Sequence, residues 1–163
     1  MMNTPADVIA YSLALSRQML GTFTADLNGA DWLARSAQKA NCAAWIIGHL
    51  VMTERRALTF AGVTDLPPLP AGFEQRFARD EHAAAAGDFG DTSILVPLFD
   101  QHRAMTIDYV KRATPEQLNK PLEKPTPRFG TVGEFAAFMA MHTMMHAGQI
   151  TFIRRSLGRP PIV

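Results

Sequence analysis

The segment from Thr131 to Pro161, TVGEFAAFMAMHTMMHAGQITFIRRSLGRPP, constrains the fold of this chain more than any other. Thr131 and Glu134 have the spacing of a capping box, in which each side chain satisfies a backbone N–H of the other's residue, so a helix starts at Val132. Gly158 supplies a C-cap and Pro160-Pro161 bars continuation, so the helix runs to about Leu157, with Arg154 and Arg155 in its last turn, favourable for the dipole. His142 and His146 stand four residues apart and leave the same face. Phe135, Phe138, Met139, Met145 and Ile153 fall on or beside that face, which reads as the side turned toward a core. A helix of this length with such a stripe needs neighbours that carry stripes of their own.

Three further segments qualify. Thr4-Pro5 with Asp7 opens a first helix that should run to about Leu27, where Asn28-Gly29 stops it; Ile9, Leu13, Ser16, Leu20 and Phe23 or Thr24 follow its buried side. After a polar approach over residues 30–40, a second helix opens near Asn41 and continues to about Phe60. Cys42, Trp45, Ile46, His49, Met52 or Thr53, and Arg56 recur along it at helical spacing. Gly48 inside that helix lowers its propensity and hints at a spatial demand, the close approach of another helix. A third long helix starts at Asp91, Thr92 or Ser93, tolerates Pro97 in its first turn and ends near Ala113, with Leu95, Leu98, Phe99, His102, Met105 and Tyr109 inward.

Between the second and third of these, residues 61–91 are rich in Pro and Gly and hold only a short possible helix around Phe73 to Ala78. A connection of that length is expected to drape over the bundle and could wall a pocket. Thr114-Pro115-Glu116-Gln117 predicts a single helical turn, followed by a proline-rich loop, NKPLEKPTPRFG. No segment alternates as a strand would. The expected fold is all-α: a four-helix bundle with a long crossover between helices 2 and 3, formed by residues 1–163 as one domain. The crossover allows the second and third long helices to lie parallel.

At 163 residues the chain can bury about two-thirds of its unfolded surface, so a metal here would serve function rather than act as a staple. Lys plus Arg is 16 and Asp plus Glu is 15, and the basic residues are scattered, which argues against nucleic acid as a partner. Cys42 is the single cysteine, which excludes an internal disulfide and suits a reducing cytoplasm. The N-terminal residues lack a basic start and a small-residue cleavage site, and no run approaches 18 uninterrupted apolar residues, so neither a signal peptide nor a membrane partner is expected.

The histidines carry the chemistry. His142 and His146 can hold one face of a divalent metal, or each can be a hydrogen-bonded core residue. His49 lies in a second apolar stripe and is the third candidate ligand, its alternative being a core histidine bonded to a carbonyl. Together the three would form a facial set with positions open to water or substrate, the catalytic kind of site. His102 is a fourth stripe histidine, able to act as ligand, assisting base or structural donor. His82 sits among polar residues and is expected to be solvated and to take no part in ion binding. Gln149 lies nearly in line with His142 and could hydrogen-bond a ligand or substrate, or bridge two helices. Arg56 could attract an anion or snorkel to water. Cys42, roughly 10 Å before His49 along the helix, reads as a small buried thiol.

The W-x-x-G-H-L helix, Trp45 to Leu50, paired with the late H-x-x-x-H-x-G-Q-I helix, His142 to Ile150, resembles the DinB-like family, which includes YfiT-like metal-dependent hydrolases. The resemblance extends over nearly the whole chain, including Thr114 to Leu118 and the closing Leu157 to Pro161. It implies a four-helix bundle with a long crossover, often a homodimer, with nickel, zinc or another divalent ion on His49, His142 and His146. Relatives include thiol-cofactor-dependent isomerases and transferases, so a low-molecular-weight thiol cosubstrate is also implied. The expected function is that of a metal-dependent enzyme activating water or such a thiol for hydrolysis or transfer to a small electrophile, assisted at most by His102 or Gln149. The alternative is a noncatalytic stress-associated protein that binds metal or a partner.

Overall fold

Thr4 caps the first helix, α1 (Pro5–Thr24): its hydroxyl accepts from the Asp7 N–H while the Asp7 carboxylate accepts from the Thr4 N–H. The computed structural model describes residues 4–78 and 87–162, so His82 lies outside the described residues. The long helices that follow are α2 (Ala43–Phe60), α4 (Leu95–Arg112) and α6 (Val132–Ser156); α3 (Phe73–Arg76) and α5 (Pro115–Leu118) are single turns. Thr114–Gln117 and Thr131–Glu134 both close as capping boxes, and Gly158 ends α6 with φ of +75°, a left-handed conformation that glycine adopts without strain.

Several boundaries shift from those expected. α1 ends at Thr24, and Asn28 begins a short 3-10 helix, Gly29–Leu33, instead of merely stopping α1. Cys42 is the N-cap of α2, and Asp91 caps a 3-10 turn, Thr92–Ile94, that leads into α4 with Pro97 in its first turn. The proline-rich loop is in part an antiparallel hairpin, β1 (Pro121–Thr126) with β2 (Phe129–Thr131), pairing Pro121 with Thr131 and Thr126 with Phe129 across an irregular register. Prolines are tolerated there because a two-stranded ribbon is all edge.

Four named contacts fix the directions of the long helices. Arg17 meets Asp100 and Leu13 meets Arg103, so α1 and α4 are antiparallel. Phe60 packs on Phe135 while His49 approaches His146, so α2 and α6 are antiparallel as well. Ala10 and Leu13 share a cluster with Phe135 and Met139, whereas Leu20 and Phe23 cluster with Ile150 and Ile153; α1 and α6 therefore run parallel. It follows that α2 and α4 are parallel, as a long crossover between them permits. Each of α1 and α2 packs against both α4 and α6.

The core is divided. One apolar cluster, built around Ile46, Ile47, Leu50, Phe77, Phe99 and Ile150, fills one end of the bundle, and a second around Leu13, Val110, Phe135 and Met139 fills the other. A buried polar layer lies between them. Arg103 donates to Glu54, Ser16, Thr143 and the carbonyls of Leu13 and Met139, and Thr106 donates to the other oxygen of Glu54. Residues from all four long helices meet in this layer. Arg103 and Thr106 thus take buried positions on α4, where Met105 and Tyr109, expected inside, are only half-buried.

Gly48 does receive a close neighbour, but from the crossover rather than from another long helix. A Cβ built there would run into the ring of Phe77, which in turn stacks on Phe89. The turn after α3 is thereby pinned to the middle of α2, one residue from His49.

Candidate metal centre

His49 comes from the middle of α2, and His142 and His146 from successive turns of α6. Because α2 and α6 run antiparallel and in contact, the three rings converge. His142 Nε2 lies 3.3 Å from His49 Nε2 and 3.1 Å from His146 Nε2. One potential ligand atom from each residue lies within 4.8 Å of the others. Exposures of 6%, 9% and 8% for His49, His142 and His146, against 0% for Arg103 and Glu54, place the triad toward one α2–α6 seam rather than on the bundle axis.

The rings are held from behind. Trp45, one turn before His49, stacks on it with centroids 4.9 Å apart and planes 2° from parallel. Phe138 stands in the same relation to His142, at 5.4 Å and 21°. His146 is held by a hydrogen bond instead, its Nδ1 lying 3.0 Å from Gln149 Oε1. Each restraint comes from the ligand's own helix at a spacing of three or four residues, so forming the helix orients the ring.

Hydrogen bonding does not explain why three imidazole nitrogens face one another. An imidazole nitrogen offers either one in-plane proton or one in-plane lone pair. His142 Nε2 approaches two other ring nitrogens, and it cannot direct its single proton or lone pair at both. A cation shared by three lone pairs accounts for both contacts. Ligand nitrogens about 2.0–2.1 Å from an ion lie about 2.8–3.4 Å from one another in octahedral or tetrahedral arrangement, which brackets both observed spacings. Three neutral imidazoles suit zinc, nickel, iron or copper. The triad could therefore hold a divalent metal.

The other expected residues fall elsewhere. His102 is fully buried on α4, with Nδ1 2.8 Å from the carbonyl of Leu98 one turn back, and is not part of the histidine cluster. Arg56 is exposed. Cys42 is buried, and burial pushes its thiol above the ordinary value, which keeps it protonated and a poor nucleophile. Met145, expected beside the inward face of α6, is 58% exposed. Arg154 is not simply a dipole partner at the end of α6: it is buried and paired with Asp26, which also receives Arg159 at 3.0 Å. Gln149 turns its amide oxygen to His146 within α6, a contact that a glutamine three residues after a histidine could have signalled.

Among the described residues, no helix is long and apolar enough to cross a membrane. No curated protein matches the sequence. A family model described as the DinB superfamily matches residues 12–150, most of the chain, and takes in all three histidines, the whole of α2 and α6 as far as Ile150. On that match and on the mostly helical fold that goes with it, the chain belongs to the DinB superfamily.

Proposed function

We propose that residues 1–163 act as one domain that holds a divalent ion, nickel or zinc, on His49, His142 and His146, and that the protein is a metal-dependent enzyme. Its reaction is hydrolysis by water, or transfer of a low-molecular-weight thiol to a small electrophile. The observation that carries the reading is the approach of His142 Nε2 to both other Nε2 atoms, at 3.3 and 3.1 Å. A divalent ion held there would supply Lewis acidity, the property that makes a water or a thiol nucleophilic near neutral pH.

The protein's own residues prepare the site for that chemistry. Three neutral ligands leave the charge of a dication uncompensated, which favours an anionic nucleophile. Trp45 and Phe138 present apolar faces beside the ligands and limit water around them. The buried Cys42 supplies no internal thiol, which supports a cosubstrate as the thiol source and fits a cytoplasmic setting. The test uses untagged protein reconstituted with zinc or nickel and a screen of small thiols, electrophiles and hydrolysable esters. Turnover is expected that vanishes with chelator, returns with the ion and is absent from His49→Ala. An ion that raises the melting temperature while the whole screen stays silent would contradict the enzyme reading.

A second reading, a noncatalytic stress-associated protein, draws on exposed apolar side chains. Val8, Tyr11 and Leu15 on α1 and Met141, Met144 and Phe152 on α6 are all exposed, Tyr11 and Phe152 by 69% and 71%. The two helices are neighbours, so these residues offer an apolar face of the kind that marks an interface. Under either reading we assign that face to a homodimer. Sedimentation of the parent beside Tyr11→Glu/Phe152→Glu tests it, with a dimer expected for the first and a monomer for the second.

A further inference from the structure

We infer that Gln149 is a positioning residue for the metal site: its carbonyl oxygen fixes the proton of His146 on Nδ1, so that Nε2 offers its lone pair toward His49 and His142. This rests on the metal reading above, but it makes a claim about the ion-free protein as well. His146 Nδ1 and Gln149 Oε1 are 3.0 Å apart, and His146 Nε2 faces His142 Nε2 at 3.1 Å. A neutral imidazole carries one proton. When an amide oxygen accepts that proton at Nδ1, the other nitrogen is left as the acceptor.

His49 and His142 are flanked by the aromatic faces of Trp45 and Phe138, which limit ring tilt but do not distinguish one nitrogen from the other. His146 has in addition a side-chain acceptor at Nδ1, the amide oxygen of Gln149. Gln149 is exposed, so burial does not require its polarity, and its place three residues after His146 brings the amide to the ring through the helix itself. An acceptor behind a ligating histidine fixes its tautomer and raises its basicity, and loss of such a group weakens metal affinity about 10- to 100-fold.

The test compares Gln149→Met, which keeps length and helix propensity without the acceptor, with Gln149→Glu, which keeps an acceptor. Zinc affinity of untagged protein is measured by chelator competition, and the His146 tautomer by nitrogen-15 NMR of the ion-free protein. Gln149→Met is expected to bind zinc about 10- to 100-fold more weakly, Gln149→Glu at least as tightly as the parent. The ion-free parent and Gln149→Glu should show the proton on Nδ1, and Gln149→Met a shift of population toward Nε2. The melting temperature without ion should be the same in all three. Equal affinity for parent and Gln149→Met, equal loss in both variants, or a parent tautomer with the proton on Nε2 would overturn the assignment. Should the parent bind no zinc yet keep the Nδ1 proton in a Gln149-dependent way, the metal reading fails while the positioning role stands.

Discussion

Arg103 donates from Nε and Nη2 to the same carboxylate oxygen of Glu54, at 3.0 and 2.5 Å, with neither side chain exposed to solvent. The three remaining guanidinium N–H groups are shared among four acceptors, Ser16, Thr143 and the carbonyls of Leu13 and Met139, and Thr106 occupies the second Glu54 oxygen. A buried ion pair satisfied this fully ties four helices into one register without needing to add much net stability.

Removing one partner is therefore the damaging change. Glu54→Ala leaves a guanidinium buried without its counter-ion and should cost about 3–5 kcal/mol in urea unfolding. Replacing both, Glu54→Leu with Arg103→Met, should cost less than Glu54→Ala alone, because no charge is then stranded. A double variant worse than the single would mean that the layer contributes through packing rather than charge.

At Gly48 two effects oppose each other. Alanine in an open helix position is favoured over glycine by up to about 1 kcal/mol, but here a Cβ would collide with the Phe77 ring. Overpacking of a core costs about 1–3 kcal/mol, so Gly48→Ala should be destabilising by about 1–2 kcal/mol net. In a Phe77→Ala background the same change should become neutral or favourable, as a double-mutant cycle in urea would read. Equal effects in both backgrounds would remove Phe77 as the cause.

These features also mark how far the chain is legible from its residues. Helix ends are written locally, as at Thr4, Thr114, Thr131 and Gly158, where a cap acts on N–H or carbonyl groups only a few positions away. The histidine spacing is local too, and His49 could be joined to it because its stripe points inward. Glu54 and Arg103 were not legible: at helical spacing a charged residue reads as a solvated face, and the partner that reverses this lies 49 positions away. The hairpin escaped because proline depletes the usual strand signal, although an edge ribbon tolerates it. Arg154 looked like a dipole partner since its carboxylate, Asp26, is 128 positions distant.

Asp26 gives the clearest acid dependence. Desolvation works against its charge, but hydrogen bonds from Arg154 and Arg159 outweigh that and hold its carboxyl below the ordinary value. A group depressed on folding stabilises the native state above its unfolded value, near pH 4, and loses that contribution as pH falls through its lower folded value. Asp26→Asn should thus be less stable than the parent at pH 7, by about 1 kcal/mol given that Asp26 is partly exposed, and the gap should narrow below about pH 4. Paired urea titrations at pH 7 and pH 3 read this directly; a gap that widens in acid would contradict it.

The most direct test of the central claim is elemental analysis of untagged protein, purified without chelator, beside His49→Ala, His142→Ala and His146→Ala. Convergence of the three rings predicts about one divalent ion per chain in the parent and a sharp loss in each variant, with all of them still helical by circular dichroism. Folded variants that retain as much ion as the parent, or a parent that takes up none when offered zinc or nickel, would contradict it.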